Sequence, residues 1–180
     1  SIRSFGLRLE PLLADKHILE NTITETIADI PPWTLTPPIV NFDMTTAKKS
    51  DTSEILYLSK FNEIKAIFSD YNPIYTDGSK TDDAVAGAAV TIDKTISKAY
   101  NKNLSIFSAE IGAIELALNE IAESKEKKHI IFSDSKSVLQ ALADGWTTNP
   151  LLRRVLELHT NIRKSKMIIF CWVPSHVGIR

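Results

Sequence analysis

Three carboxylates stand in chain order where an α/β fold would bring them together. They are Asp77 in Ile74-Tyr75-Thr76-Asp77-Gly78-Ser79-Lys80, Glu110 in Ser108-Ala109-Glu110, and Asp134 in Ile131-Phe132-Ser133-Asp134-Ser135. Asp77 and Asp134 end apolar runs of β character, and Glu110 opens an amphipathic helical stretch. Two such strands laid side by side would assemble a divalent-cation site. Mg²⁺ is a hard ion that takes oxygen ligands and keeps several waters, so one or two carboxylates per ion plus a substrate phosphate complete its shell. A pair of such ions about 3.5–4 Å apart activates water and stabilises the leaving oxygen of a phosphodiester. Carboxylates crowded without a cation repel and raise one another's pKa. Taken singly, each residue has a structural reading. Asp77-Gly78 is a hairpin-turn signal, Glu110 a helix first-turn acid, and Asp134 sits where an N-cap belongs. Taken jointly, the order and placement favour the cation site.

The elements that must position these residues follow from the pattern. From Tyr71 the chain reads as a compact α/β domain, with strands expected at Ile74 to Asp77, Val85 to Ile92 and Thr95 to Asn101, joined by short polar turns as an antiparallel meander. Ser108 is expected to cap a helix running to about Ser124, with Ile111, Ile114, Leu118 and Ile121 as its core stripe and Glu110 in its first turn. His129 to Asp134 is a short buried strand, Ser135 to Ala143 a helix, Pro150 to Lys164 a helix with proline at its start, and Lys166 to Val173 a last strand. Strands alternating with helices require parallel crossovers, so the sheet is mixed.

Residues 1–69 have a different texture. A helical pattern carrying Leu9, Leu12, Leu13, Leu19, Ile23 and Ile27 precedes Pro31-Pro32-Trp33-Thr34-Leu35-Thr36-Pro37-Pro38, whose paired prolines read as an extended spacer. An extended run from Ile39 to Phe42 leads to a second helix opened by Asp51 or Thr52, with Ile55, Leu58, Phe61, Ile64, Ile67 and Phe68 at helical spacing. The division expected is a connecting segment over 1–69 and a catalytic-type domain over 70–180.

Composition narrows the class. The chain has 180 residues, 43% of them hydrophobic and 24% charged, enough for one packed domain and an appendage. No run approaches the ~20 apolar residues of a membrane span, and the start lacks a signal-peptide pattern. The single cysteine, Cys171, lies in an apolar run and reads as a buried thiol. Net charge is −1, but Gly145 to Arg180 holds Arg153, Arg154, Arg163, Lys164, Lys166 and Arg180 against Glu157 alone, +5 in all. A basic segment beside an acidic centre suits a polyanionic substrate.

Tyr75-Thr76-Asp77-Gly78-Ser79, Ser108-Ala109-Glu110, Phe132-Ser133-Asp134-Ser135 and Trp172-Val173-Pro174-Ser175-His176-Val177-Gly178-Ile179 together resemble type 1 ribonuclease H. More narrowly, they resemble the ribonuclease H domain that follows the reverse transcriptase in non-LTR retrotransposon polyproteins. The resemblance implies an α/β fold with a five-stranded mixed sheet flanked by helices, the first three strands antiparallel and the last two parallel. It also implies two Mg²⁺ or Mn²⁺ ions cutting the RNA strand of an RNA–DNA hybrid. Asp77, Glu110 and Asp134 are then the metal ligands, Asp77 bridging both ions, and His176 assists product release or proton transfer. Gly78, Ser79, Ser135 and Lys136 flank the ligands as nucleic-acid contacts, with Arg153 and Arg154 from the basic segment. Bacterial members carry paired asparagines before the glutamate and a glutamine after the second aspartate. Ile106-Phe107 and Lys136 stand there instead, with Asn101 and Asn103 near enough to substitute. The family's fourth carboxylate lies in a helix beyond Ile179, so the 180-residue chain reads as a fragment lacking that last helix. A covalently linked reverse transcriptase, a monomeric domain and an intracellular setting, cytoplasmic or nuclear, complete the expectation.

Other readings are weaker. An integrase-type enzyme places its glutamate after both aspartates, and a polymerase needs an aromatic residue before paired aspartates, which Thr81-Asp82-Asp83 lacks. An inactive ribonuclease H-like spacer or nucleic-acid clamp is the principal alternative.

Overall fold

The computed structural model describes residues 31–46 and 53–175. It holds one mixed sheet of six strands: β1 (Ile39–Asn41), β2 (Asn72–Lys80), β3 (Val85–Val90), β4 (Thr95–Tyr100), β5 (Lys128–Ser133) and β6 (Met167–Trp172). The helices are α1 (Glu54–Ile67), α2 (Ile106–Glu123), α3 (Lys136–Asp144) and α4 (Pro150–Ile162). Strand order is β1-β6-β5-β2-β3-β4. The β2–β3–β4 half is antiparallel, while β2, β5, β6 and β1 run parallel.

The five expected strands are present in the expected arrangement. The sheet is wider than expected by one strand, β1, which pairs with β6 in parallel, Ile39 against Ile169 through Asn41 against Cys171. The sequence shows Ile39 to Phe42 as extended but carries no sign of its partner. The first helical pattern, Leu9 to Ile27, lies outside the described residues, as do Asp51 and Thr52. Ser53 caps α1, its side chain accepting from the Leu56 N–H.

Burial explains the strand order. Lys128–Ser133 is buried at nearly every position, so it must lie between two covered faces. Thr95–Tyr100 is exposed at most positions and forms an edge. On one face α2, α3 and α4 pack a core that includes Ile74, Ala89, Ile111, Ile114, Leu118, Leu139, Leu156 and Phe170. On the other, Tyr57, Phe61 and Ile64 of α1 close over Ile130, Phe132, Cys171 and Val173. Cys171 is fully buried, and desolvation pushes its thiol up to about 12, so it behaves as a small hydrophobe.

Helix α2 lies unusually close to the sheet because two glycines face it. Gly78 and Gly87 are direct cross-strand partners. A Cβ at Gly87 would stand 2.8 Å from the Ala109 carbonyl oxygen and 3.0 Å from the Ala113 nitrogen, backbone atoms that cannot give way cheaply. Gly112 repeats the device from the helix side, where Tyr100 crosses it and leaves no room for a Cβ. Replacing Gly87 with Ala must therefore lift α2 from β3. The expected cost is about 1–3 kcal/mol, read as a lower urea midpoint with an unchanged slope.

Candidate metal centre

Asp77 lies inside β2, opposite Ala88, and the hairpin turn comes later, where the Thr81 N–H donates to the Ala84 carbonyl at 2.8 Å. The turn reading of Asp77-Gly78 therefore fails. Asp134 follows the last residue of β5. The cap of α3 is Ser135, without a side-chain hydrogen bond, so Asp134 is no cap either. The parallel register Thr76 against Ser133 carries Asp77 and Asp134 forward as next neighbours on adjoining strands. Thr76 Oγ1 donates to the Phe132 carbonyl at 3.2 Å and ties the two strands together just before their acids.

Glu110 comes from the helix. The cap of α2 is Ser105, three residues earlier than expected: its side chain accepts from the Ser108 N–H at 3.1 Å, and the two hydroxyls lie 2.9 Å apart. Glu110 thus falls in the second turn, away from the free N–H groups that would favour a first-turn acid. It is buried, and its Oε2 has no hydrogen-bond partner. A Cβ on Gly78 would sit 2.8 Å from the Glu110 carboxyl carbon, so the bare backbone at Gly78 is what admits this side chain.

Carboxylate oxygens of Asp77, Glu110 and Asp134 all lie within 4.8 Å of one another. Asp77 is exposed, Asp134 half-buried and Glu110 buried. Desolvation first, then the neighbouring charges of Asp134 and Asp77, push the Glu110 carboxyl up to about 8, against a smaller opposing pull from the Gly78 N–H. Three convergent hard oxygen donors, one with an orphaned buried oxygen, fit a hard divalent cation.

The family model for RNase H matches residues 70–180. The chain belongs to the RNase H family. Members of this family hydrolyse the RNA strand of RNA–DNA hybrids and generally use Mg²⁺. No curated protein matches the chain. Beside the triad lies a groove of about 580 Å³, where Asp77 and Asp134 share the lining with Tyr75, Phe132, Val173 and Ser175. His176, the next residue, lies outside the described residues.

The other residues singled out from the sequence take these places. Gly78 and Ser79 continue β2 past Asp77. Asn101 and Asn103 share one turn leading into α2, where the Asn103 N–H donates to the Asn101 side chain at 3.0 Å. The Ser135 N–H donates to Ser133 Oγ at 3.2 Å, and Lys136 opens α3 on the surface with its ammonium 5.6 Å from the centre of the Trp172 ring. The basic segment has internal partners. Arg153 Nε pairs with Glu157 at 3.3 Å, Arg154 Nε with Glu115 at 2.8 Å, and the Lys166 ammonium caps the end of α2 through the Ile121, Ala122 and Ser124 carbonyls. Sequence reasoning missed the Gly78–Gly87 pair, although Gly87 interrupts the Ala- and Val-rich run Val85 to Val90 and so marks a close approach.

The raised Glu110 carboxyl has a measurable consequence. Between pH 4.5 and about 8 the folded protein keeps a proton that the unfolded chain has already released. Without a cation, stability must therefore fall as pH rises through this window and level off above it. Urea midpoints measured across that range in EDTA should show the fall, excess Mg²⁺ should reduce it, and Glu110→Gln should flatten it.

Proposed function

We propose that this RNase H domain is a metal-dependent endonuclease that cuts the RNA strand of RNA–DNA hybrids through two Mg²⁺ or Mn²⁺ ions. The convergence of Asp77, Glu110 and Asp134 within 4.8 Å, in the chain order of the family, carries the reading. Ions held there supply Lewis-acid neutralisation of the charge that develops on a phosphodiester. Asp77, the exposed member of the cluster, would be one of the ligands that hold the ions. Glu110 closes the cluster from the helix side with a carboxylate that packing leaves little freedom. Asp134 completes it from the end of β5.

Around the acids, Gly78, Ser79, Ser135, Lys136, Asn101 and Asn103 lie on the segments that adjoin the ligands and form the proposed hybrid-contacting rim. Arg153 and Arg154 pair through Nε with Glu157 and Glu115, so a phosphate would meet guanidinium groups whose charge is already partly offset. His176, following Ser175 of the groove, assists product release or proton transfer. The same reading places the domain behind a reverse transcriptase in a retrotransposon polyprotein, acting inside the cell as a monomeric unit. No helix among the described residues is long and apolar enough to cross a membrane.

Asp77→Asn keeps the shape of the side chain and removes its charge. Cleavage of a labelled RNA–DNA hybrid in Mg²⁺ should fall by roughly 10²–10³-fold or more, while the urea midpoint in EDTA stays the same or rises as repulsion is relieved. Near-normal cleavage by this variant would contradict the assignment.

A further inference from the structure

Trp172 ends β6 and meets the candidate centre twice. Its indole Nε1–H donates to the main-chain carbonyl of Asp134 at 3.0 Å. The Lys136 ammonium stands 5.6 Å from the centre of its ring. The ladder explains why the indole is there: Ser133 and Trp172 are the last partners of β5 and β6, and the Val173 N–H donates to the Ser133 carbonyl at 3.0 Å. That rung places the indole beside the point where β5 gives way to α3.

Asp134 lies beyond its strand, so the ladder does not fix its peptide. Two donors do so instead, the indole N–H and the Lys136 main-chain N–H, the second at 2.9 Å. With the carbonyl held from two sides, the Cα–Cβ bond that aims the carboxylate is held as well, which is how outer partners tune a ligand. The Lys136 side chain, exposed on a long flexible stem, would lose much freedom on meeting a phosphate. A ring face already holding its ammonium reduces that cost.

Resting on the reading of the triad as a cation centre, we propose that Trp172 is the positioning residue of this site. Its N–H aims Asp134, and its ring presents Lys136 to a phosphate of the nucleic-acid backbone. One side chain thereby couples the cleaving centre to the substrate's charge. The competing role is packing alone, since Trp172 also touches both cores.

The test begins with the 180-residue chain carrying Trp33→Phe and Trp146→Phe, both residues being exposed, which leaves a single indole for ¹⁵N NMR. Its N–H should exchange slowly with water, and its resonance should move on Mg²⁺ addition along the same curve as the divalent-induced rise in Tm. Trp172→Phe, which keeps a ring but no donor, should weaken Mn²⁺ binding by roughly 10-fold or more. Lys136→Met should leave Mn²⁺ binding alone, lower hybrid affinity several-fold and reduce the salt slope of binding by about one. In a Trp172→Leu background, where no ring remains, Lys136→Met should cost little further affinity.

An indole resonance indifferent to Mg²⁺ while Tm rises would overturn the link to Asp134, even if the Phe variant failed to fold. An undiminished Lys136→Met effect in the Leu background would overturn the platform. Absence of any divalent-induced change in Tm or spectrum would instead remove the cation centre itself, and this proposal with it.

Discussion

The close approach of α2 to the antiparallel half of the sheet is the constraint on which the rest depends. Gly78 and Gly87 face each other across β2 and β3 and present bare backbone to the helix, and Gly112 returns the favour to Tyr100. A side chain at Gly87 would meet the backbone of Ala109 and Ala113, one at Gly78 the backbone nitrogen and side chain of Glu110, and one at Gly112 the Tyr100 ring, and close packing leaves these atoms little room to move. Only at this separation does Glu110, in the second turn of α2, reach Asp77 within β2 and Asp134 just past β5. Packing and site geometry are thus one arrangement.

That arrangement is electrostatically uphill by itself. Folding buries Glu110 against two other acids, and its carboxyl answers by holding its proton up to about pH 8. Among the described residues, the Lys136 ammonium lies over the Trp172 ring, 5.6 Å from its centre. Three acids kept together through burial, a glycine gap and a strand register offer convergent oxygen donors to a cation from solution, and repulsion in its absence is the corollary.

Much of this was legible in the sequence, for physical reasons that differ by element. The strands announce themselves in different ways: Lys128–Ser133 carries the apolar run Ile130-Ile131-Phe132 and is buried at nearly every position, whereas Thr95–Tyr100 mixes polar and apolar residues and is mostly exposed at the sheet edge. The order of three acids on strand, helix and strand pointed to the cluster that the structure gathers within 4.8 Å. Other features were hidden because they depend on tertiary partners. Ser105 and Ser108 are equally good caps on paper, and only the helix start distinguishes them. Ile39–Asn41 is too short to declare a neighbour, and its pairing with β6 exists only once β6 is in place. The arginines of the basic segment looked free as sequence, but Glu157 lies one turn away from Arg153 and Glu115 across the helix pair from Arg154. The indole bond of Trp172 to Asp134 spans 38 positions and leaves no local mark.

Crystals grown with Mn²⁺ and examined by anomalous scattering put the central claim to the most direct test. The expected result is anomalous density bounded by the carboxylates of Asp77, Glu110 and Asp134, with Glu110 reaching the ion through the oxygen that otherwise lacks a partner. An empty triad in crystals whose Mn²⁺ occupies other acids, such as Asp82 and Asp83, would contradict it.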